Sequence, residues 1–240
     1  MTDAFGLLPQ GTKVKASGAA PGPTHHENLP DPASIRTFIT KHIALWDRDA
    51  ERPFEMKSEY VCGTGPIIWS LTNHTVELAQ TIVELSAADR MIIATPLIRL
   101  CVENAMTAAW MLVTPDAVKA TLHEGMRQRR AAIKEVLEQG LTGFDDESLL
   151  AAERDVEEFE GNKSPEGKSV EQRFKALKGG AGVYVTYRIL SSLSHAGMTL
   201  GDHYLAEIPV SPDAPAGVAF DRERKLDSHQ AWLGTAAAVC

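Results

Sequence analysis

The sequence predicts an all-α protein: an antiparallel bundle of about seven to eight helices behind a disordered N-terminal arm. Three observations predict it. Long stretches repeat apolar residues at helical rather than alternating spacing. Helix starts and stops recur, as in Asp31-Pro32, Thr114-Pro115-Asp116 and Gly140. Aromatic residues make up only 6% of a chain that is 44% hydrophobic, which suits Ala- and Leu-rich helices packed on one another. A length of 240 residues can bury a substantial core. The expected organisation is a flexible arm over 1–30 and a single helical domain over 31–240.

The arm holds Gly, Pro, Ala and Thr with almost no periodic apolar residues. Its His25-His26-Glu27 run makes a poor metal site, because adjacent imidazoles in a loose tail do not converge. Asp31 caps the first helix and Pro32 opens it. Ile35, Phe38, Ile39, His42 and Trp46 then follow at helical spacing, up to Pro53. A second helix starts after Gly65-Pro66, with Ile67, Ile68, Leu71, Thr75, Leu78, Ile82 and Leu85 on one stripe. His74 and Glu77 lie beside that stripe, one turn apart.

A third helix runs from about Asp89 to Leu112, with Leu97, Leu100, Cys101, Ala105, Ala108 and Leu112 facing inward. Pro96 predicts either a kink or a restart capped by Thr95. Thr114 is the expected cap of a fourth helix ending at Gly140, which carries Arg127, Arg129, Arg130 and Lys134. That basic cluster is either a solvated face or a phosphate-facing patch. An acidic helix over 145–160 follows, with Leu149, Leu150, Val156 and Phe159 as its apolar side. Asn162 to Lys168 is predicted as a polar loop, and Ser169 to Gln172 as a capping box. Gly179-Gly180 separates two helices. Residues 208–220 carry three prolines and read as a loop. A last helix begins at Asp227-Ser228. Apolar residues still arrive at Cys240, so that helix is expected to continue or to pack on a partner.

A net charge of −8 and a pI near 5.5 argue against broad electrostatic capture of nucleic acid, while leaving room for a local basic patch. Cys62, Cys101 and Cys240 fit neither a zinc motif nor a disulfide framework, so a cytoplasmic protein with reduced thiols is expected. No signal peptide and no membrane span are expected. There is no His-Glu-x-x-His, EF-hand loop or Gly-x-Ser-x-Gly, and a metal or other cofactor is not expected.

The chemistry-bearing stretch is Tyr184 to Gly197, read as a helix ending near Gly197. Arg188 and His195 are seven residues apart, hence on one face at ~3.6 residues per turn. Arg99 and Glu103, at i,i+4 on an apolar helix, form either an ion pair at the edge of the core or a polar pocket shared with another helix. An Arg can stabilise charge on a phosphate, and a His, with pKa near ~6.5, can move a proton to or from a 2′-hydroxyl or leaving oxygen. One His supplies half of that acid–base work. A dimer joining two such helices would supply both halves. The competing reading pairs Arg188 with Glu103 or Glu77 and uses His195 to cap its helix.

Arg188, six residues, then His195 near the end of a helix in an all-α chain resembles the HEPN superfamily motif, which is Arg, four to six residues, then His. The run Leu97-Ile98-Arg99-Leu100-Cys101-Val102-Glu103, ending in Ala108-Ala109-Trp110, is similar to a set of uncharacterised bacterial helical proteins. Those share Arg-x-x-x-Glu on one helix and a Tyr-Arg…His-Gly segment later, here Tyr187-Arg188 and His195-Ala196-Gly197. The resemblance covers roughly residues 60–205. It implies a metal-independent endoribonuclease acting as a homodimer on RNA, in toxin–antitoxin or phage defence. Arg188 and His195 would be catalytic, and Arg99, Glu103, His74, Glu77 and Tyr187 supporting. The alternative is a non-catalytic helical module that binds a protein partner or a small ligand.

Overall fold

The computed structural model describes residues 30–50, 63–197, 200–201, 203–212, 215–220 and 229–239. The expected arm lies outside the described residues except for Pro30, as do Cys62, Asp227, Ser228 and Cys240. The fold is all-α. Among the described residues its α-helices include α1 (Pro32–Ala50), α2 (Thr64–Ala87), α3 (Met91–Val113), α4 (Ala117–Glu138), α5 (Asp146–Glu158), α6 (Pro165–Lys168), α7 (Val170–Lys175), α8 (Gly180–Ser194) and α9 (His229–Val239). A two-stranded antiparallel sheet, β1 (Leu205–Glu207) with β2 (Val218–Phe220), pairs Ala206 with Ala219.

α3 is the axis of the bundle. It lies against α2, α7, α8 and α9, and one core is shared by all of them. Ile82 of α2, Ile98 and Cys101 of α3, Phe174 of α7, Leu190 of α8 and Leu233 of α9 are all fully buried there. Each large apolar side chain so buried contributes roughly 1.5–3 kcal/mol. By length and composition α3 is apolar enough to cross a membrane. More than half of its apolar window is buried inside the fold, as a core helix requires. A second cluster around Trp110, Met111 and Val118 closes the other end of α3 against α4.

Local signals explain most boundaries. Asp31 accepts hydrogen bonds from the Ala33 and Ser34 amides at 3.0 Å, capping α1 as expected. Pro96 lies inside one continuous α3. Its ring removes the amide that Ile92 would have bonded, and the Thr95 hydroxyl donates to the Ile92 carbonyl instead, at 2.7 Å. Thr95 thus mends the helix rather than capping a new one.

Other expectations need correction. α4 starts at Ala117, behind Asp116 in the left-handed region at φ 56°, not at Thr114-Pro115. Leu112, expected inside, is 56% exposed because α3 ends as it leaves the core. Leu150 is likewise 58% exposed, and Ala152 and Val156 form the buried side of α5. The Asn162–Lys168 loop contains α6, capped by Ser164, which accepts from the Gly167 amide at 2.9 Å. The proline-bearing 208–220 segment ends in a strand. Ser169 does cap α7, accepting from the Gln172 amide at 3.4 Å.

The α7–α8 turn fixes how α8 meets α3. Gly179 takes φ 79°, and a Cβ on Gly180 would sit 1.9 Å from the Phe174 carbonyl oxygen. Gly180→Ala is therefore expected to destabilise by about 1–3 kcal/mol or more, since backbone must shift to admit the methyl. A urea titration monitored by circular dichroism measures it, and an unchanged midpoint would contradict the packing described.

Candidate functional site

A polar ladder interrupts the apolar length of α3. Arg99, Glu103 and Thr107 recur every four residues, so all three look along one side of the helix, toward α7 and α8. Glu103 sits at the centre. Its Oε2 accepts from the Tyr187 hydroxyl at 3.1 Å and faces Arg99 Nη2 at 3.6 Å. The Arg99 guanidinium lies over the Tyr187 ring, 5.3 Å from its centroid. It also reaches His195, with Nη1 at 3.4 Å from Nε2. Both readings of the Arg99–Glu103 pair hold: it is an i,i+4 ion pair at the edge of the core, and both residues also engage α8 and its end.

This contact orients the imidazole. An arginine can only donate, so His195 Nε2 is the lone-pair nitrogen facing Arg99, and in the neutral ring Nδ1 carries the hydrogen. The Tyr187 phenol is held neutral, its pKa raised by burial and then by the Glu103 charge. It therefore donates to Glu103 throughout the neutral range. Tyr187→Phe removes that one donor and keeps the ring under Arg99. The expected loss is about 1 kcal/mol, toward the low end for a bond to a charged group at a partly exposed site. Denaturant unfolding would measure it, and unaltered stability would mean that the bond contributes nothing.

Arg173 on α7 completes the cluster and was not anticipated from the sequence. Its Nη1 donates to the buried Thr107 hydroxyl at 3.2 Å. Burial lowers its pKa, opposed chiefly by the Glu103 charge. Arg99 Nε and Arg173 Nε are both buried without a hydrogen-bond partner. The four-residue step from Arg99 through Glu103 could have pointed to Thr107, but no such signal points to Arg173.

The structure places the other predicted residues apart from this cluster. His74, exposed on α2, meets α3 through Asn104, whose Nδ2 is 3.3 Å from His74 Nδ1. Glu77 accepts from Asn73 Nδ2 at 3.1 Å, and Asn73 in turn accepts from Trp46 Nε1 of α1 at 3.3 Å. Neither His74 nor Glu77 touches His195, so their expected orienting role falls to Arg99 alone.

The seven-residue spacing of Arg188 and His195 also works differently from expectation. α8 ends at Ser194, and His195 is already extended at ψ 146°. Helical register therefore stops one residue short of the imidazole, which swings to Arg99. Arg188 remains exposed on α8, where its charge acts on Glu171 and Tyr184. The proposed pairing of Arg188 with Glu103 or Glu77 is not how those carboxylates are used. Both Arg188 and His195 reach solvent.

The α4 basic cluster is largely neutralised. Arg127 makes a two-pronged bond to the buried Glu124 at 2.7 Å, while Arg129 pairs with Asp155 and Lys134 with Glu138, each at 3.7 Å. This favours a solvated helix face over a phosphate patch. Among the described residues no group of three or more His, Cys, Asp or Glu side chains is arranged to hold a metal ion.

A family profile described as "Family of unknown function (DUF5677)" matches residues 67–207, which includes every residue of the Arg99–His195 cluster. No curated protein and no solved structure matches the chain. The profile match spans more than half of the sequence, and the chain therefore belongs to the DUF5677 family.

Proposed function

We propose that this protein is a HEPN-like, metal-independent endoribonuclease that works as a homodimer in host defence or a toxin–antitoxin pair. The observation that carries this reading is the exposed His195 imidazole, presented at the end of α8 with Nε2 3.4 Å from the Arg99 guanidinium. A base and a cation thus share one spot on the surface, as phosphodiester cleavage requires. The Arg188-to-His195 spacing that resembles the HEPN motif lies in the same segment.

In this reading His195 Nε2 takes the proton from an RNA 2′-hydroxyl. The 2′-oxygen bonds to phosphorus, and the bond from phosphorus to the 5′-oxygen breaks. The departing 5′-oxygen collects a proton from the second imidazole that a dimer brings into the cleft. The products are a 2′,3′-cyclic phosphate and a 5′-hydroxyl, with no water consumed. Arg99 and Arg188 supply the positive charge for the strand, and Glu103 holds Arg99 in place. RNA cleavage with EDTA present, comparing wild type with His195→Ala and Arg188→Ala, tests it. Equal cutting by wild type and both variants, or no cutting at all, removes the enzyme.

A second reading is favoured by one observation. α1 and α9 enclose a groove of about 710 Å³, lined mainly by apolar atoms of Pro30, Ile35, Phe38, Ala231 and Ala237. A non-catalytic module that binds a protein partner there would give stable association and no turnover in the same assay.

A further inference from the structure

We infer that Arg99, from α3, grips the scissile phosphate beside His195, while Arg188 holds a neighbouring phosphate of a single-stranded RNA that runs along α8. This deepens the ribonuclease reading and rests on it. Arg99 contacts the imidazole: its Nη1 is 3.4 Å from His195 Nε2, so one phosphate can touch both groups. From Arg188 to Ser194, where α8 ends, the helix rises about 9 Å. An extended strand laid along that rise brings a second phosphate to Arg188. The usual motif logic, with both partners on one helix, is thus divided here between two helices.

Arg99 is free to take the role. Its contacts to His195 and Glu103, at 3.4 and 3.6 Å, are both longer than a well-formed bond of about 2.7–3.2 Å, so its terminal N–H groups can turn to a better acceptor. Charge also favours an anion. Arg99 and Arg173 gather at Glu103, with Tyr187 neutral beside it, and Glu124, the other carboxylate acting on Arg173, is bound by Arg127, so the cluster keeps a guanidinium for an anion on a chain of net charge −8. A phosphodiester supplies the missing negative charge. When Arg99 Nη1 turns to a phosphate oxygen, it releases His195 Nε2 to accept the 2′-proton.

The test compares two substrates in EDTA: the dinucleotide cytidylyl-3′,5′-adenosine, which has one phosphate, and a short unstructured RNA. Arg99→Lys keeps charge and bulk but not the planar fork. It is expected to lower kcat by about 10²-fold on both substrates, with little change in KM. Arg188→Ala is expected to penalise the RNA more than the dinucleotide, mainly through KM. It should also flatten the dependence of log KM on log salt by about 0.7, one phosphate contact on a single strand. Circular dichroism on each variant separates misfolding from these effects, and a merely structural role would not alter the salt slope. The inference is overturned if Arg188→Ala penalises both substrates equally, or if Arg99→Lys keeps wild-type kcat. Wild type that cuts neither substrate, or that cuts an all-deoxy control strand of the same sequence equally well, overturns the ribonuclease reading itself.

Discussion

Replacing His195 with alanine is expected to lower metal-independent RNA cleavage by ~10²–10⁴-fold, the usual contribution of a positioned acid–base group. The protein should remain folded. His195 lies past the last turn of α8, is exposed, and makes one long side-chain contact, to Arg99. A substitution at such a position is expected to shift stability by no more than about 0.5 kcal/mol. Loss of activity with an unmoved unfolding curve would assign the effect to chemistry. Activity retained in the alanine variant would move the proton transfer to another group.

Phe174→Ala is expected to cost about 3–5 kcal/mol of stability. The ring is fully buried where α3, α7 and α8 meet. It packs edge-on against Tyr184 and Tyr187, with centroids 6.0 and 5.5 Å away. The space left behind would be slow to close. The Phe174 carbonyl already abuts Gly180 so tightly that no methyl fits, so α7 and α8 have little room to slide together. In urea the midpoint should fall with the slope unchanged, as for a native-state defect. Activity should fall as well, because Tyr187 carries the face on which Arg99 rests. A fully active variant of wild-type stability would contradict both the core and its link to the site.

What the sequence revealed divides along physical lines. The stripe from Ile67 to Leu85 and the Asp31-Pro32 start were legible because a helix needs only its own residues to declare itself. Pro96 was ambiguous, since its effect depended on whether Thr95 would turn its hydroxyl back to Ile92, a choice settled by geometry rather than composition. The β1–β2 pair was hidden because each strand has three residues and prolines dominate the segment between them. The site was half legible. Arg99, Glu103 and His195 were named from residue type and spacing and Tyr187 from the resemblance, and all four meet. The face shared by Arg188 and His195 was not foreseeable correctly, because helix periodicity ends at Ser194, one residue before it was needed. Arg173 was missed because it comes from a six-residue helix far along the chain, and only the packing of α7 on α3 brings it to Thr107.

The central claim is that His195 and a guanidinium beside it break RNA by attack of the 2′-hydroxyl. The most direct measurement incubates the wild-type protein with single-stranded RNA in excess EDTA and maps the ends of the fragments. The account predicts 2′,3′-cyclic phosphate and 5′-hydroxyl termini. Intact RNA, or fragments that end in 3′-hydroxyl and 5′-phosphate groups, would contradict it.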